Sequence, residues 1–222
     1  MHRAFDSEDI IYSVLNYLER KDLKNVAMTC SWLAGHALNI LWSKRSSLVP
    51  LIMCLPQDTL EIKDDTIFLS REPTPSEWVR LQINASRVRR LIVPDPDSNE
   101  ALWIYRSPKL SVSGLVLQRL FEQFPPTTLF PNLCAFGSHA LWESSSDLSL
   151  VRMFMSPGLE EVLLDVSARF TTHEVEQFLG ALPIEAHGLR QLSIWIDRGA
   201  TAFLPSFGKL PKLIALTVDP AR

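Results

Sequence analysis

A short apolar pattern recurs along the second half of the chain and constrains the fold more than any other feature. Each copy reads apolar-x-x-apolar-x-apolar (or small), and most copies follow a proline or a glycine. The copies begin at Leu133, Leu159, Leu189 and Leu213, which places them 26, 30 and 24 residues apart. A strand and a helix that repeat every ~20–30 residues predict stacked units in a curved solenoid with parallel strands.

A fifth copy lies upstream, where Val88 is followed by Leu91 and Val93. Helices are expected between the strands, at 115–124, 147–155 and 172–182, with a shorter turn near 202–207. The pattern is that of leucine-rich repeats, but the spacing is irregular and the usual Asn or Cys of each unit is missing, so the copies are degenerate. An α/β domain with alternating strands and helices is the alternative.

The two-residue period of a strand divides each copy into an inward and an outward face. Leu164, Ile194 and Val218 are expected to point inward, together with the residues two positions before them. The outward residues are then Glu161, Leu163, Asp165, Gln191, Ser193, Trp195, Asp197, Ala215, Thr217 and Asp219, with Arg90, Ile92 and Asp95 upstream.

Six of these outward residues form the predicted partner-binding set, namely Arg90, Glu161, Leu163, Asp165, Trp195 and Asp197. A tryptophan on an exposed concave face is a natural binding anchor, although Trp195 packed against a neighbouring strand or loop is an equal alternative. The acidic residues Glu160, Glu161, Asp165 and Asp197 indicate a basic partner segment, or else a solvated face.

The N-terminal segment 8–43 contains three amphipathic stretches. The first has apolar residues at helical spacing behind the capping candidates Asp6 and Ser7, and the second is expected to begin at a capping Asp22. Gly35 is expected to mark a break between helices. Because ~40 residues bury too little surface to fold alone, the segment must dock on the rest of the chain, on another protein, or on both.

This segment resembles the F-box, the adaptor-binding motif of SCF-type ubiquitin ligases, and is most similar to the F-box proteins of mushroom-forming fungi. The matching residues are Glu8, Val14-Leu15, Tyr17-Leu18, Lys21-Asp22-Leu23, Cys30 and Leu41-Trp42. The Leu-Pro dipeptide that contacts the adaptor in that family is absent, since the chain reads Phe5-Asp6-Ser7 there. The stretch 72–91 resembles the segment that links the F-box to leucine-rich repeats in the same proteins.

The resemblance implies a non-catalytic substrate-recognition subunit, bound to a Skp-type adaptor and through it to a cullin, with a protein substrate on the repeat face. The adaptor contacts it implies are Ile10, Ile11, Val14, Leu15, Leu18, Leu23, Val26, Leu38, Leu41 and Trp42. The alternative is a leucine-rich-repeat interaction scaffold in which the F-box-like segment is only an N-terminal cap. The family is usually longer, and the chain stops at Arg222 just after a strand, so a truncated copy is also expected.

The expected architecture is therefore α/β (α+β), with an F-box-like three-helix hairpin over 1–45, a linker over 46–87 and a short, irregular leucine-rich-repeat solenoid over 88–222. Within the linker, 60–62 and 67–69 are expected to form a hairpin with Asp64 and Asp65 near its turn. A helix is expected from Thr74 to about Ser86, with Thr74 as cap, proline at the first helical position and Glu77 three residues after the cap.

Composition narrows the class of partner. The net charge of −3 and the pI of about 6.0 argue against nucleic acid, which usually demands a basic face. No stretch reaches the ~18–20 apolar residues of a membrane span, and no secretory signal is visible. The odd number of widely spaced cysteines indicates free thiols in a reducing compartment, so a cytoplasmic or nuclear protein is expected.

Sequence motifs for catalysis, metals and cofactors are absent. The eight glycines form no phosphate-binding loop, no GxSxG occurs, and the five histidines have no metal-ligand spacing. His173-Glu174 is followed four residues after the histidine by Gln177 rather than a second His. We therefore expect no enzyme activity, cofactor or metal; a hydrolase-like α/β enzyme is the weakest alternative and would need a deep pocket with clustered polar residues.

Overall fold

The computed structural model describes residues 7–92, 110–138, 148–166, 171–196 and 208–220. Within these ranges the helices are α1 (Glu8–Asn16), α2 (Arg20–Thr29), α3 (Ser31–Ser43), α4 (Val49–Ile52), α5 (Pro75–Ala85), α6 (Gly114–Gln123), α7 (Pro126–Leu129), α8 (Leu148–Arg152) and α9 (Thr172–Glu185). The strands are β1 (Lys44–Arg45), β2 (Leu60–Lys63), β3 (Thr66–Leu69), β4 (Arg90–Leu91), β5 (Ser111–Val112), β6 (Ala135–Gly137), β7 (Glu161–Val166), β8 (Gln191–Ile196) and β9 (Ala215–Pro220).

Six strands form a fully parallel sheet in the order β1-β4-β6-β7-β8-β9. Each strand therefore lies beside the next strand of that sheet in the chain, and the sheet grows in one direction. A doubly wound α/β sheet instead reverses direction at a switch point, and the described strands contain no such reversal. The predicted mixed α/β fold with parallel strands is confirmed.

One backbone hydrogen-bond arrangement repeats along this sheet. The carbonyl oxygen just before each strand accepts from two successive N–H groups at the start of the next strand, at 2.8–3.1 Å. The accepting residues are Arg89, Cys134, Glu160 and Arg190. Each of these acceptors lies one residue after the start of a predicted apolar copy, so the strands of the described copies pair through the same backbone geometry.

Burial confirms the predicted inward residues on β7 and β8, whereas on β9 the predicted inward residue Leu216 is 37% exposed and Val218 is only half-buried. Val162, Leu164, Leu192 and Ile194 are at most 1% exposed, whereas the side chains between them are partly exposed. Full burial of each such aliphatic side chain contributes about 1.5–3 kcal/mol, so a slip of one residue, which would move all four to the other face, is strongly disfavoured.

The core beneath β6 is aromatic. Phe154 stacks on Phe136 and Phe130, with ring centroids 4.5 and 5.8 Å apart, and meets Phe121 edge to face at 5.4 Å. These rings come from a strand, a helix and two connecting segments. Phe154 therefore ties consecutive units to one another.

The predicted hairpin and linker helix are both present. β2 and β3 pair antiparallel, and Asp64 and Asp65 turn between them with φ of 47° and 58°, a left-handed conformation that aspartate tolerates. α5 begins at Pro75, and the Thr74 N–H donates to the Glu77 carboxylate at 2.7 Å. The pairing of β5 with β3, which extends the hairpin to a three-stranded sheet, was not anticipated.

Two boundaries in the N-terminal segment differ from expectation. α2 begins at Arg20 with Glu19 as N-cap, so Asp22 lies inside the first turn, where a carboxylate favours the helix dipole without capping it. α3 runs through Gly35 without interruption, and the break lies at Cys30, whose backbone is extended. The turn 202–207, and the outward residues Asp95 and Asp197, lie outside the described residues.

Candidate interaction surfaces

The three N-terminal helices, which we call the helical subdomain, have a small core of their own. Ile11, Leu15, Leu23 and Ala37 are at most 4% exposed and pack together. Among the predicted adaptor contacts, Leu18, Val26 and Leu41 pack against this cluster, Leu38 is half-buried, and Trp42 packs against the main core. Most of the predicted set therefore holds the subdomain together.

A second apolar stripe on α1 faces solvent. Ile10 is 44% exposed and Val14 is 51% exposed, and Tyr17, one further turn along, is 91% exposed. We call Ile10, Val14 and Tyr17 the α1 stripe. Residues at i, i+4 and i+7 share one helix face, and Tyr17, the residue that directly follows α1, keeps a right-handed helical backbone, so the three residues lie on one face.

The rest of the exposed apolar surface of this subdomain was not in the predicted set. Met28 is 75% exposed and Trp32 is 40% exposed. The sequence shows two adjacent apolar stripes along α1, and periodicity alone does not say which one packs inward. One contains Ile10, Val14 and Tyr17, and the other contains Ile11, Leu15 and Leu18. Tyr17 matched the F-box-like motif in the sequence, and that match could have marked it as a candidate contact residue.

The helical subdomain is fixed to the rest of the chain by polar contacts. The Arg87 Nη1 donates to the Gly35 carbonyl oxygen at 3.0 Å and to the Asn39 Oδ1. The Asn39 Nδ2 in turn donates to the Tyr12 hydroxyl at 3.0 Å. The His36 ring meets that of Tyr12 edge to face at 5.3 Å. A connected network thus runs from α1 through α3 to the turn after α5.

On the outward face of the large sheet, Arg90 and Glu161 form an ion pair at 2.8 Å. They lie in one register row, separated by Ala135 on β6. Ala135 is fully buried, and the side chains of Arg90 and Glu161 are 41% and 23% exposed. This part of the face is thus more enclosed than the alternation alone predicted.

The same face is more open toward β8 and β9. Gln191 and Thr217 are exposed, while Leu163 and Trp195 are half-buried. The register places Trp195 between Asp165 on β7 and Asp219 on β9. The predicted residues Leu163, Asp165 and Trp195 therefore lie on the adjacent strands β7 and β8, further along the strands than Glu161.

The described residues offer little for nucleophilic or metal chemistry. No group of three or more His, Cys, Asp or Glu side chains that could hold a metal lies within them. Burial raises the pKa of the Cys54 thiol above its usual value, even though the Asn84 amide donates to its sulfur at 3.4 Å. Because the thiolate is the reactive form, Cys54 is a structural thiol.

Comparisons with known proteins return no relative: no protein-family model, no curated protein and no solved structure matches the chain. Among the described helices, none has the length and apolar content needed to cross a membrane.

Proposed function

We propose that this chain is a non-catalytic substrate-recognition subunit of an SCF-type ubiquitin ligase. The helical subdomain binds a Skp-type adaptor, and the outward face of the large sheet binds a protein substrate. Both partners meet this chain through protein surfaces, and the bond-forming chemistry belongs to other subunits.

The α1 stripe is the observation that carries the proposal. A three-helix unit this small would gain stability by burying Ile10 and Val14, yet the fold leaves both about half exposed. Exposed apolar residues that lie together on one surface are typical of protein interaction sites. The helix-in-groove mode of recognition uses anchors at this i, i+4, i+7 spacing.

A solenoid-like arrangement of the large sheet supports the substrate face. The unidirectional strand order and the repeated carbonyl arrangement are what stacked strand–helix units produce. Such units present adjacent outward rows as an extended binding surface. We place the substrate on the part of this face formed by Leu163, Trp195 and Thr217, where Leu163 and Trp195 are half-buried and Thr217 is exposed.

The mechanism follows from proximity. An adaptor held at one end of a rigid chain and a substrate held at the other raise the effective concentration of substrate lysines near a charged conjugating enzyme. The Arg87 network matters here because it fixes the angle between the two ends.

A second candidate function is an interaction scaffold in which the helical subdomain only caps the sheet. The observation that favours it is continuity: α3 runs directly into β1, and β1 is the edge strand of the large sheet. A solenoid needs its ends covered, and the helical subdomain occupies that edge.

Co-expression with a Skp-type adaptor separates the two functions. Light scattering after size-exclusion chromatography measures whether a stable one-to-one complex forms. A complex is the result expected for the ligase subunit, whereas elution of the folded chain alone in the presence of adaptor favours the scaffold.

A further inference from the structure

The last strand of the large sheet carries apolar side chains that solvent reaches. One inward row of the sheet takes a residue from each of five neighbouring strands, namely Leu91, Phe136, Val162, Leu192 and Leu216. The first four are at most 1% exposed, whereas Leu216 on β9 is 37% exposed. Ile214, directly before β9, is 80% exposed. The apolar row that every earlier strand buries therefore stays open at β9.

The backbone at the start of β9 repeats the arrangement that joins the earlier strands. In four earlier copies, the carbonyl oxygen one residue after the start of the copy accepts from two N–H groups of the next strand. Ile214 holds the same position after Leu213. Because β9 is the last strand in the order of the described sheet, its outer side presents the pattern that a further strand covers in the earlier copies.

Two residues of β9 direct their backbone groups to that outer side. The Ala215 N–H donates at 3.0 Å to the carbonyl oxygen of Arg190, the residue before β8. Successive residues of a strand direct their N–H and C=O groups to opposite sides, so those of Leu216 and Val218 point away from β8. An edge strand of this kind is a template for pairing with another chain.

The charges along the strand indicate which chain fits. Lys209 and Lys212 are exposed just before β9, and Asp219 is its last residue but one. Two such strands placed side by side in parallel would bring lysine beside lysine, and like charges at such positions destabilise a sheet. In an antiparallel arrangement the basic start of each strand lies beside the acidic end of the other. The strand is therefore complementary to a second copy of itself.

We propose that two copies of this chain associate by antiparallel pairing of their β9 strands. A two-fold axis perpendicular to the sheet relates the copies, so both use the same surface. This axis keeps the inward residues of both copies on one face, where Leu216 and Val218 of each copy cover those of the other. The helical subdomain lies at the opposite edge, beside β1. The pairing does not rest on the proposed ligase function.

Sedimentation velocity of the full chain at increasing concentration measures the equilibrium between monomer and dimer. Ile214→Lys is the main variant, because so exposed a side chain contributes little to the fold. Ile184→Lys on α9 is the matched control, since Ile184 is also 80% exposed and the substitution is the same. Leu216→Lys is the second variant, and circular dichroism checks that each variant is folded.

The direction of pairing has its own variant. Lys212→Glu places an acidic residue at the start of β9, where the antiparallel arrangement brings the acidic end of the other copy. Lys24→Glu on α2 makes the same change of charge at an exposed position of the helical subdomain and is its control.

We expect the wild type to form a dimer as its concentration rises. Ile214→Lys and Leu216→Lys should weaken dimerisation about tenfold or more, because each puts a charge into an apolar contact. Lys212→Glu should also weaken it, and added salt should weaken the wild-type dimer by screening the charges. Ile184→Lys and Lys24→Glu should dimerise like the wild type.

Three results would overturn the proposal. A wild type that stays monomeric at every concentration would assign the open edge to an extended segment of another protein. Equal weakening by Ile184→Lys and Ile214→Lys would reduce the effect to surface charge. A Lys212→Glu variant that dimerises as well as the wild type would contradict the antiparallel arrangement. These measurements use no adaptor, so the proposed ligase function stands or falls separately.

Discussion

The Arg87 guanidinium donates to the Gly35 carbonyl oxygen at 3.0 Å, and this contact joins two parts of the chain that are 52 residues apart. The same Nη1 also reaches the Asn39 side chain, which continues to the Tyr12 hydroxyl. The helical subdomain is therefore fastened to the sheet through hydrogen bonds in addition to apolar packing.

Replacing Arg87 with methionine should lower the free energy of unfolding by about 1–3 kcal/mol, because the partly buried Asn39 side chain and the exposed Gly35 carbonyl would both lose their donor. Urea denaturation measures the change. Arg89→Met is the matched control: Arg89 is exposed, and its substitution should change stability by no more than about 0.5 kcal/mol. Equal effects of the two changes would argue against the network.

Truncation should lower the free energy of unfolding strongly in the buried stripe of α1 and very little in the exposed stripe. Leu15 is 3% exposed, so Leu15→Ala should cost about 2–5 kcal/mol through lost burial and a cavity. Val14 is 51% exposed, and Val14→Ala should change the free energy of unfolding by about 0.5 kcal/mol or less. A large loss for Val14→Ala would show that the exposed stripe is packed in solution.

Gly188 is required by a close backbone approach. A Cβ at this position would overlap the carbonyl oxygen of Pro157, whereas a Cβ at Gly180 in α9 would meet nothing within 4 Å. Gly188→Ala should therefore destabilise the protein by about 1–3 kcal/mol. Gly180→Ala should stabilise it by about 0.5–1 kcal/mol, because alanine is the better helix former. Thermal unfolding of both variants checks the signs, and a neutral Gly188→Ala would contradict the predicted overlap.

Acid should weaken the contact between the hairpin and α5. The hydrogen bonds from Arg71 and from the Thr74 backbone hold the pKa of Glu77 at about 2, below its usual 4.5. The carboxylate is thus favoured in the folded state, so its contribution is complete above about pH 4.5 and is lost as the pH falls toward 2.

Glu77→Gln should remove this dependence, and its stability should change less than that of the wild type between pH 4.5 and pH 2. Glu72→Gln, which removes a neighbouring exposed carboxylate, should keep the wild-type slope. Denaturation measured at several pH values distinguishes the two. A wild-type slope in Glu77→Gln would assign the acid sensitivity to other carboxylates.

The parts of the fold that follow a strict period were predictable. Val162, Leu164, Leu192 and Ile194 lie at alternate positions of their strands, and burying them fixes both the strands and their register. The helix at Pro75 was predictable for a different reason, since a threonine, a proline and a glutamate at fixed offsets suit a helix start.

Other features depend on contacts that a local pattern does not contain. The pairing of β5 with β3 joins residues more than forty positions apart. The choice of Ile11 and Leu15 over Ile10 and Val14 for the core depends on where α2 and α3 lie. The enclosure of Glu161 depends on Arg90 reaching across Ala135.

The central claim is that the α1 stripe binds a Skp-type adaptor. A matched pair of valines tests it most directly. Val14 in the α1 stripe is 51% exposed, and Val79 on α5 is 49% exposed. A carboxylate at either position should be tolerated by the fold, and only Val14→Asp should place a charge in the proposed adaptor contact. Calorimetric titration with a Skp-type adaptor should show tight binding by the wild type and by Val79→Asp, with binding lost in Val14→Asp. No binding by the wild type, or equal binding by both variants, would contradict the account.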